Sequence, residues 1–419
     1  MPFVRSFHRI LAFLLVIAAA AALAAGGVHR SHRIAHGYVT GVSETPEAGS
    51  ISLVSPAYRL DRYYRSMHGP NSNLPRVRLS ETAGKYDTLW ITGVAAKVVS
   101  DGAGEPVSPE YFCHANLTLS PGAVEPETHN RSFDPPRHAD WRLFTLVPGR
   151  MTIDLPDGFG IPIRGGTPLD YYTMSLNQGG RDSGSVRFRT EIRYRKDSGP
   201  LRPLFRRALY VYQQHREEPS PDAQSGGKAG AHPGQSCADN CLNDRKGAVP
   251  STFSETIAHD LAEPTHPGAR CCVINASEGG VVDQFGTDNT IHWMVPPGAH
   301  TYRSEVAKQF ELPFDTTAHY VTGHLHPYGK SLRLVDLESG EVVFEIVSED
   351  FTDRPGVKRM SEIRLPEGRL VKAGHRYELV ADYENPLPGP IDAMAILYVY
   401  LAEEPGPDAA LADAGAGQP

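Results

Sequence analysis

The chain has 419 residues, a formal net charge of −8 and a pI near 6.1. That length corresponds to two or three domains of ordinary size, and the acidic balance excludes the basic footprint of a nucleic-acid binder. It is 40% hydrophobic, enough for real cores, and its 40 glycines and 35 prolines suit many turns between short strands better than long helices.

The first element is a targeting segment. Arg5 and Arg9 precede an unbroken apolar run from Ile10 to Ala25, and Ala22-Leu23-Ala24 has the small residues of a cleavage site. The run is short for a membrane span, while Arg30 and Arg33 follow closely. Residues 1–27 therefore read as a signal peptide or an N-terminal membrane anchor. Either way the body of the protein is expected to be exported, in a periplasmic or extracellular setting that is oxidising.

Residues 38–184 read as a first β-sandwich. SISLVSP, LWITGVAAKVV, RLFTLVP and RMTIDLP are short β-like runs separated by Gly, Pro, Asn and Asp. Within this stretch Cys113 and His114 are adjacent, so on a regular strand they face opposite sides; only a bulge would let both reach one site. Tyr171 to Asn177 is a further strand.

Residues 185–404 read as the second sandwich. VRFRTEIRYRKD, from Val186, alternates apolar and charged residues as a strand with one wet face does. Arg202, Arg206 and Arg207 are expected on solvated surface. Residues 213–288 form an insertion, opening on a Pro, Gly, Ser and Ala-rich excursion. It carries Cys237, Cys241, Cys271 and Cys272, for which an oxidising compartment favours two disulfides in either pairing; a thiolate copper site is the sharper alternative. After it come TIHWMVPPGAH, with a tight turn at Val295 to Gly298, and AMAILYVYL, in which Met394, Ile396, Tyr398 and Tyr400 share one face. Residues 405–419, rich in Ala, Gly, Asp and Pro, read as a disordered tail.

The chemistry concentrates in AHYVTGHLHPYGKSLRLV, residues 318–335. His324 and His326 lie two apart, so on a strand both imidazoles point the same way and can hold one metal ion. Pro327, Tyr328 and Gly329 then stop the strand. On one face of a strand, histidines are also ordinary polar residues, and Met394 alone is ordinary core. His292 and His300 are further candidate ligands, as a zinc hydrolase would need, whereas His319 is an odd number of residues from His324 and faces away. A cupin places a glutamate shortly after its His-x-His, where this chain has Lys330 and Ser331.

Three features occur in order: the VPPG turn, His324-x-His326 followed by Gly329-Lys330, and the Met394 to Tyr398 strand. In these the second half resembles the catalytic domain of the copper type II, ascorbate-dependent monooxygenases, the family of peptidylglycine α-hydroxylating monooxygenase and dopamine β-hydroxylase. The resemblance implies an all-β fold of two jelly-roll-type antiparallel β-sandwich domains in tandem. It further implies copper held by His324, His326 and Met394, O₂ activation and C–H hydroxylation there, Tyr398 at the substrate, and ascorbate or another reductant as electron source. Two imidazoles serve both copper oxidation states, and a thioether favours Cu(I). Where the family has a second, electron-delivering copper bound by three histidines, this chain offers Cys113, His114 and Asn177, an eroded set. Thr322 stands where an arginine of the family's substrate-carboxylate clamp would be, so a peptidylglycine substrate is not expected. A non-catalytic copper-binding or interaction module of the same fold is the remaining expectation, with an electron-donor protein as a candidate partner.

Overall fold

The computed structural model describes residues 39–64, 69–80, 82–84, 87–120, 142–196, 201–214, 281–282 and 288–402. The segment read as a signal peptide or anchor, Cys237, Cys241, Cys271 and Cys272, most of the stretch read as an insertion, and the stretch read as a disordered tail lie outside them. Among the described residues no helix is long and apolar enough to cross a membrane.

The alternating runs form strands as the side-chain period of two requires, and the fold is all-β, an arrangement of antiparallel β-sandwiches. Its largest sheet runs through both halves of the chain. In spatial order it contains Val39–Glu44, Ala48–Val54, Ser185–Lys196, Thr88–Ser100, Phe159–Arg164, Arg202–Tyr210, Ala395–Ala402, Thr316–Leu325 and Glu362–Val371. Its ladders are antiparallel except where Arg202 and Pro203 meet Phe159 and Gly160 in parallel. A four-stranded sheet, Asn71–Val77, Leu169–Ser175, Phe112–Leu119 and Arg142–Leu146, accompanies the first half. A five-stranded sheet, Gly298–Glu305, Tyr377–Asn385, Gly329–Asp336, Val342–Asp350 and Val357–Met360, accompanies the second.

Two large hydrophobic cores result among the described residues, beside a small cluster of Cys113, Met174 and Leu176. The first joins Ile51, Ile91 and Phe188 of the large sheet to Leu117, Phe144 and Tyr171 of the four-stranded one. The second joins Val321, Leu397 and Val399 to Leu332, Ile346 and Leu379. The strand Ala395–Ala402 serves both: Ile396, Tyr398 and Tyr400 enter the first core, while Ala395, Leu397, Val399 and Leu401 enter the second. A strand buried on both faces needs a continuous apolar run, and this one has it. Met394, just before it, also lies in the first core, on the face shared with Ile396, Tyr398 and Tyr400.

Two expectations change. The strand Ser185–Lys196, read as the opening of the second unit, pairs with Ala48–Val54 and Thr88–Ser100 and so lies among first-half strands. Arg206 and Arg207, read as solvated surface, are each only 9% exposed, although Arg202 is exposed. Their strand is flanked by Phe159–Arg164 and Ala395–Ala402, and its faces are covered at these positions, by the strand Arg142–Leu146 at Arg206 and by Phe310 at Arg207. Burial is tolerated because the guanidinium donors find acceptors. Arg206 donates to Arg142 O at 3.1 Å and Thr145 Oγ1 at 3.0 Å, and Arg207 donates to Phe310 O at 3.1 Å. Burial lowers the Arg207 pKa to about 10.

Candidate metal centre

The strand Thr316–Leu325 lies between Ala395–Ala402 and Glu362–Val371. Its register sets Thr322 opposite Tyr398 and His324 opposite Ile396. One further step along the ladder sets His326 opposite Met394, and the His326 amide donates to Met394 O at 3.3 Å. The Tyr383 hydroxyl donates to that same carbonyl at 2.7 Å, pinning the segment from a second sheet. His324, His326 and Met394 thus share the face that meets the first core. All three are buried, and the two imidazole centroids are 5.1 Å apart with planes at 78°.

The expected turn follows. His326 O accepts from the Gly329 amide at 3.1 Å, and Tyr328 takes a left-handed φ of 72°, its amide donating to Asp350 Oδ2 at 3.0 Å. A Cβ at Gly329 would come 2.8 Å from Leu325 Cβ, so only glycine lets the chain turn back this tightly.

Asp392 joins the histidines from the short strand Ile391–Ala393, which pairs with Trp293–Val295. Its Oδ2 lies 3.0 Å from His326 Nδ1, and its Oδ1 lies 3.5 Å from His292 Nδ1. One ligand atom from each of His292, His326 and Asp392 lies within 4.8 Å of the others. The arrangement has two chemical uses. Asp392 can ligate a metal with the two imidazoles, or it can receive their Nδ1–H groups and fix both rings, as carboxylates behind metal-bound histidines do. The sequence reading missed Asp392. The available signal was its place two residues before Met394, which on a strand is the same face.

Cys113 and His114 reach this region from the other sheet. In the ladder between Phe112–Leu119 and Leu169–Ser175, Met174 faces His114 and Ser175 faces Phe112, so Cys113 is the extra residue of a bulge. The bulge undoes strict alternation: His114 Nδ1 is 3.3 Å from Cys113 Sγ, and the imidazole stacks on Tyr172. Cys113, a buried thiol, lines one small cavity together with His324 and His326. Phe112, Leu176, Pro148 and Val357 make its lining mostly apolar, and Glu110 and Gln178 add polar groups to it. Its volume of about 20 Å³ is that of a site for one water-sized occupant.

Burial disfavours the charged form of two of these imidazoles, those of His114 and His324. Burial, then the charge of Arg142, then His326 and His292 lower the His114 pKa to about 3. Burial, then His326, His114 and His292 hold His324 well below the ordinary histidine range, with Asp392 opposing. Burial alone would raise the Asp392 pKa; the His326 charge and the contacts from both histidines outweigh it and hold the carboxyl ionised. His114 Nε2, His324 Nδ1 and His326 Nδ1 are buried ring nitrogens with no hydrogen-bond partner, the last lying 3.0 Å from Asp392 Oδ2 as an ion pair without hydrogen-bond geometry. Buried polar atoms are nearly always paired, so unpaired imidazole nitrogens clustered here are what a metal ion would satisfy. The donors present therefore fit a soft or borderline transition metal.

The remaining candidates lie elsewhere or are occupied. His319 is buried with Nδ1 at 2.9 Å from Leu365 O and Nε2 at 2.8 Å from Thr317 Oγ1, a satisfied core histidine. The His300 ring meets Pro297 O at 3.1 Å, on the rim. Asn177 donates to Leu60 O at 3.4 Å and Arg181 O at 2.7 Å, holding a loop. Thr322 donates to Ser361 O at 3.0 Å. Tyr398 is buried in the first core with the Arg206 guanidinium 4.4 Å from its ring centroid, so a cation stands beside it after all, supplied by a neighbouring strand and not by position 322.

No family model matches the chain, and no curated protein matches it. Among solved structures it is similar to the STIV MCP, at 8% identity and a TM-score of 0.31, covering 88% of this chain and 99% of that one. It is also similar to a peptide-N(4)-(N-acetyl-β-D-glucosaminyl) asparagine amidase, at 7% identity and a TM-score of 0.31, over 85% and 97% of the two chains. A third is the major capsid protein from bacteriophage PM2, at 7% identity and a TM-score of 0.26, over 84% and 97%. Likenesses this remote carry no argument about the site.

Proposed function

We propose that the chain is an exported, copper-dependent, monooxygenase-like protein with one metal centre, at His324, His326 and Met394. The observation that carries the reading is the register that sets His326 opposite Met394, with His324 on the same buried face. Copper bound there would supply O₂ activation for hydroxylating a C–H bond. The protein's own groups prepare for it. Burial keeps the His324 imidazole neutral, so its lone pairs stay available at neutral pH. Asp392 faces His326 Nδ1 and leaves Nε2 to point elsewhere. The cavity lining is mostly apolar. Because Asn177 is engaged with backbone carbonyls, electrons would come from ascorbate, another reductant or a donor protein, not from a second copper. Export rests on residues 1–27, and the same oxidising compartment would pair Cys237 and Cys241 with Cys271 and Cys272.

The proximity of His292, His326 and Asp392 favours a second reading, a zinc or non-haem iron site of two histidines and a carboxylate, with hydrolysis as the zinc outcome. Anaerobic Cu(I) titration with metal analysis separates the two. One copper per chain, lost in His324→Ala and retained in His292→Ala, supports the copper centre. Zinc bound in preference, surviving His324→Ala and lost in His292→Ala, supports the second. Copper bound without oxygen consumption above that of free copper would leave a binding module in place of an oxygenase.

A further inference from the structure

The bulge at Cys113 does more than disturb a ladder. Among the described residues it is where the four-stranded sheet presents a thiol to the His324–His326 strand, and three observations converge on it. The register skips Cys113 while pairing both its neighbours, which swings its side chain toward the side of His114. The cavity that receives it is lined by His324 and His326 and is of single-ion size. Two imidazole nitrogens at this site, on His114 and His324, are more than nine-tenths buried with no hydrogen-bond partner.

We propose that Cys113 supplies a thiolate to the same metal centre as His324 and His326, so that both sheets contribute ligands to one copper. His114, with Nδ1 at 3.3 Å from Sγ, is the positioning residue that holds the sulfur by a hydrogen bond. The donor set becomes two imidazoles, a thiolate and, across the ladder from His326, the Met394 thioether. Two histidines and a cysteine in a plane with a weak methionine are the ligands of one-electron copper centres. The inference rests on the copper reading above and deepens it: a centre of this kind exchanges single electrons with an external donor directly, which answers the lack of a second histidine-bound copper. Ligation is a proton exchange. The Cys113 S–H bond breaks, an S–Cu bond forms, and the proton leaves to solvent; neither partner changes oxidation state.

The test is spectroscopic. Reduced full-length protein is loaded anaerobically with one equivalent of Cu(II), and in parallel with Co(II), which does not oxidise thiols. The wild type should show an intense thiolate-to-copper band in the visible and a sulfur-to-cobalt band in the near ultraviolet. Cys113→Ser and Cys113→Ala should both lose those bands while keeping one metal per chain and an unchanged far-ultraviolet circular dichroism spectrum. They should also release one proton fewer on loading than the wild type. His324→Ala should lose the bands as well, which separates this sulfur from the cysteines of the 213–288 insertion. Stoichiometric binding with no sulfur band from either metal, or with bands unchanged in both Cys113 variants, overturns the thiolate and leaves the copper reading standing. Failure of the wild type to bind either metal ends both.

Discussion

Replacing Asp392 with asparagine is the most informative single change. The substitution keeps the volume but removes the charge, and it puts an NH₂ donor where one carboxylate oxygen stood. In the wild type the two oxygens address His326 Nδ1 at 3.0 Å and His292 Nδ1 at 3.5 Å. In Asp392→Asn only one of these rings can keep an acceptor. The other faces a donor and must either change tautomer, which puts the proton on its outer nitrogen and removes the lone pair a metal would use, or rotate that nitrogen away. Loss of a carboxylate behind a metal-bound histidine weakens metal binding by roughly 10–100-fold, or about 1.4–2.7 kcal/mol. Because one carboxylate serves two rings here, the upper part of that range is expected. Competition with a chromophoric Cu(I) chelator under anaerobic conditions measures it. An affinity within about twofold of wild type would show that Asp392 does not orient the rings. Loss of stoichiometric binding altogether would show that Asp392 is itself a ligand, in the His292–His326–Asp392 arrangement.

Met394→His should retain copper but shift its preference toward Cu(II), because nitrogen replaces a soft sulfur; a Cu(I) affinity unchanged in Met394→Ala would reduce Met394 to core packing. His319 bears on pH. Burial lowers its pKa, so as pH falls below about 6.5 the unfolded chain takes a proton that the folded one refuses, and stability is lost down toward the folded pKa. Chemical denaturation of the metal-free protein between about pH 5 and pH 7 should therefore give a shallower stability slope in His319→Gln than in wild type, and parallel slopes would refute the assignment. Leu397→Ala, in the second core at 0% exposure, should cost about 2–5 kcal/mol in denaturant titration. Val342→Ala, at 42% exposure, should stay within roughly 0.5 kcal/mol; equal losses would mean the second core does not dominate the stability of that half.

Alternation and turn chemistry are local properties, and they were enough to read the chain as antiparallel β-sandwiches. They also put His324 and His326 on one side of a strand, and Met394, Ile396, Tyr398 and Tyr400 on one side of another. The side-chain period of two needs no partner to operate. What no local rule contains is which strands lie side by side. The ladder that brings Met394 opposite His326 joins segments about seventy residues apart in sequence, and the packing of separate sheets that brings Cys113 to one cavity with His324 and His326 spans more than two hundred. Burial of Arg206 and Arg207 follows from what packs on the two faces of their strand, Arg142–Leu146 on one and Phe310 on the other, since their own residues look like those of a wet surface. The Cys113 bulge is a mismatch in length between two paired strands, and neither strand shows it alone. Asp392 falls in the same class: an aspartate before an apolar strand reads as a turn residue until the fold sets two imidazoles against its carboxylate. The sequence thus determined the faces, and tertiary structure decided which faces meet, because contacts between distant segments are selected by the packing of whole sheets and not by any stretch within one.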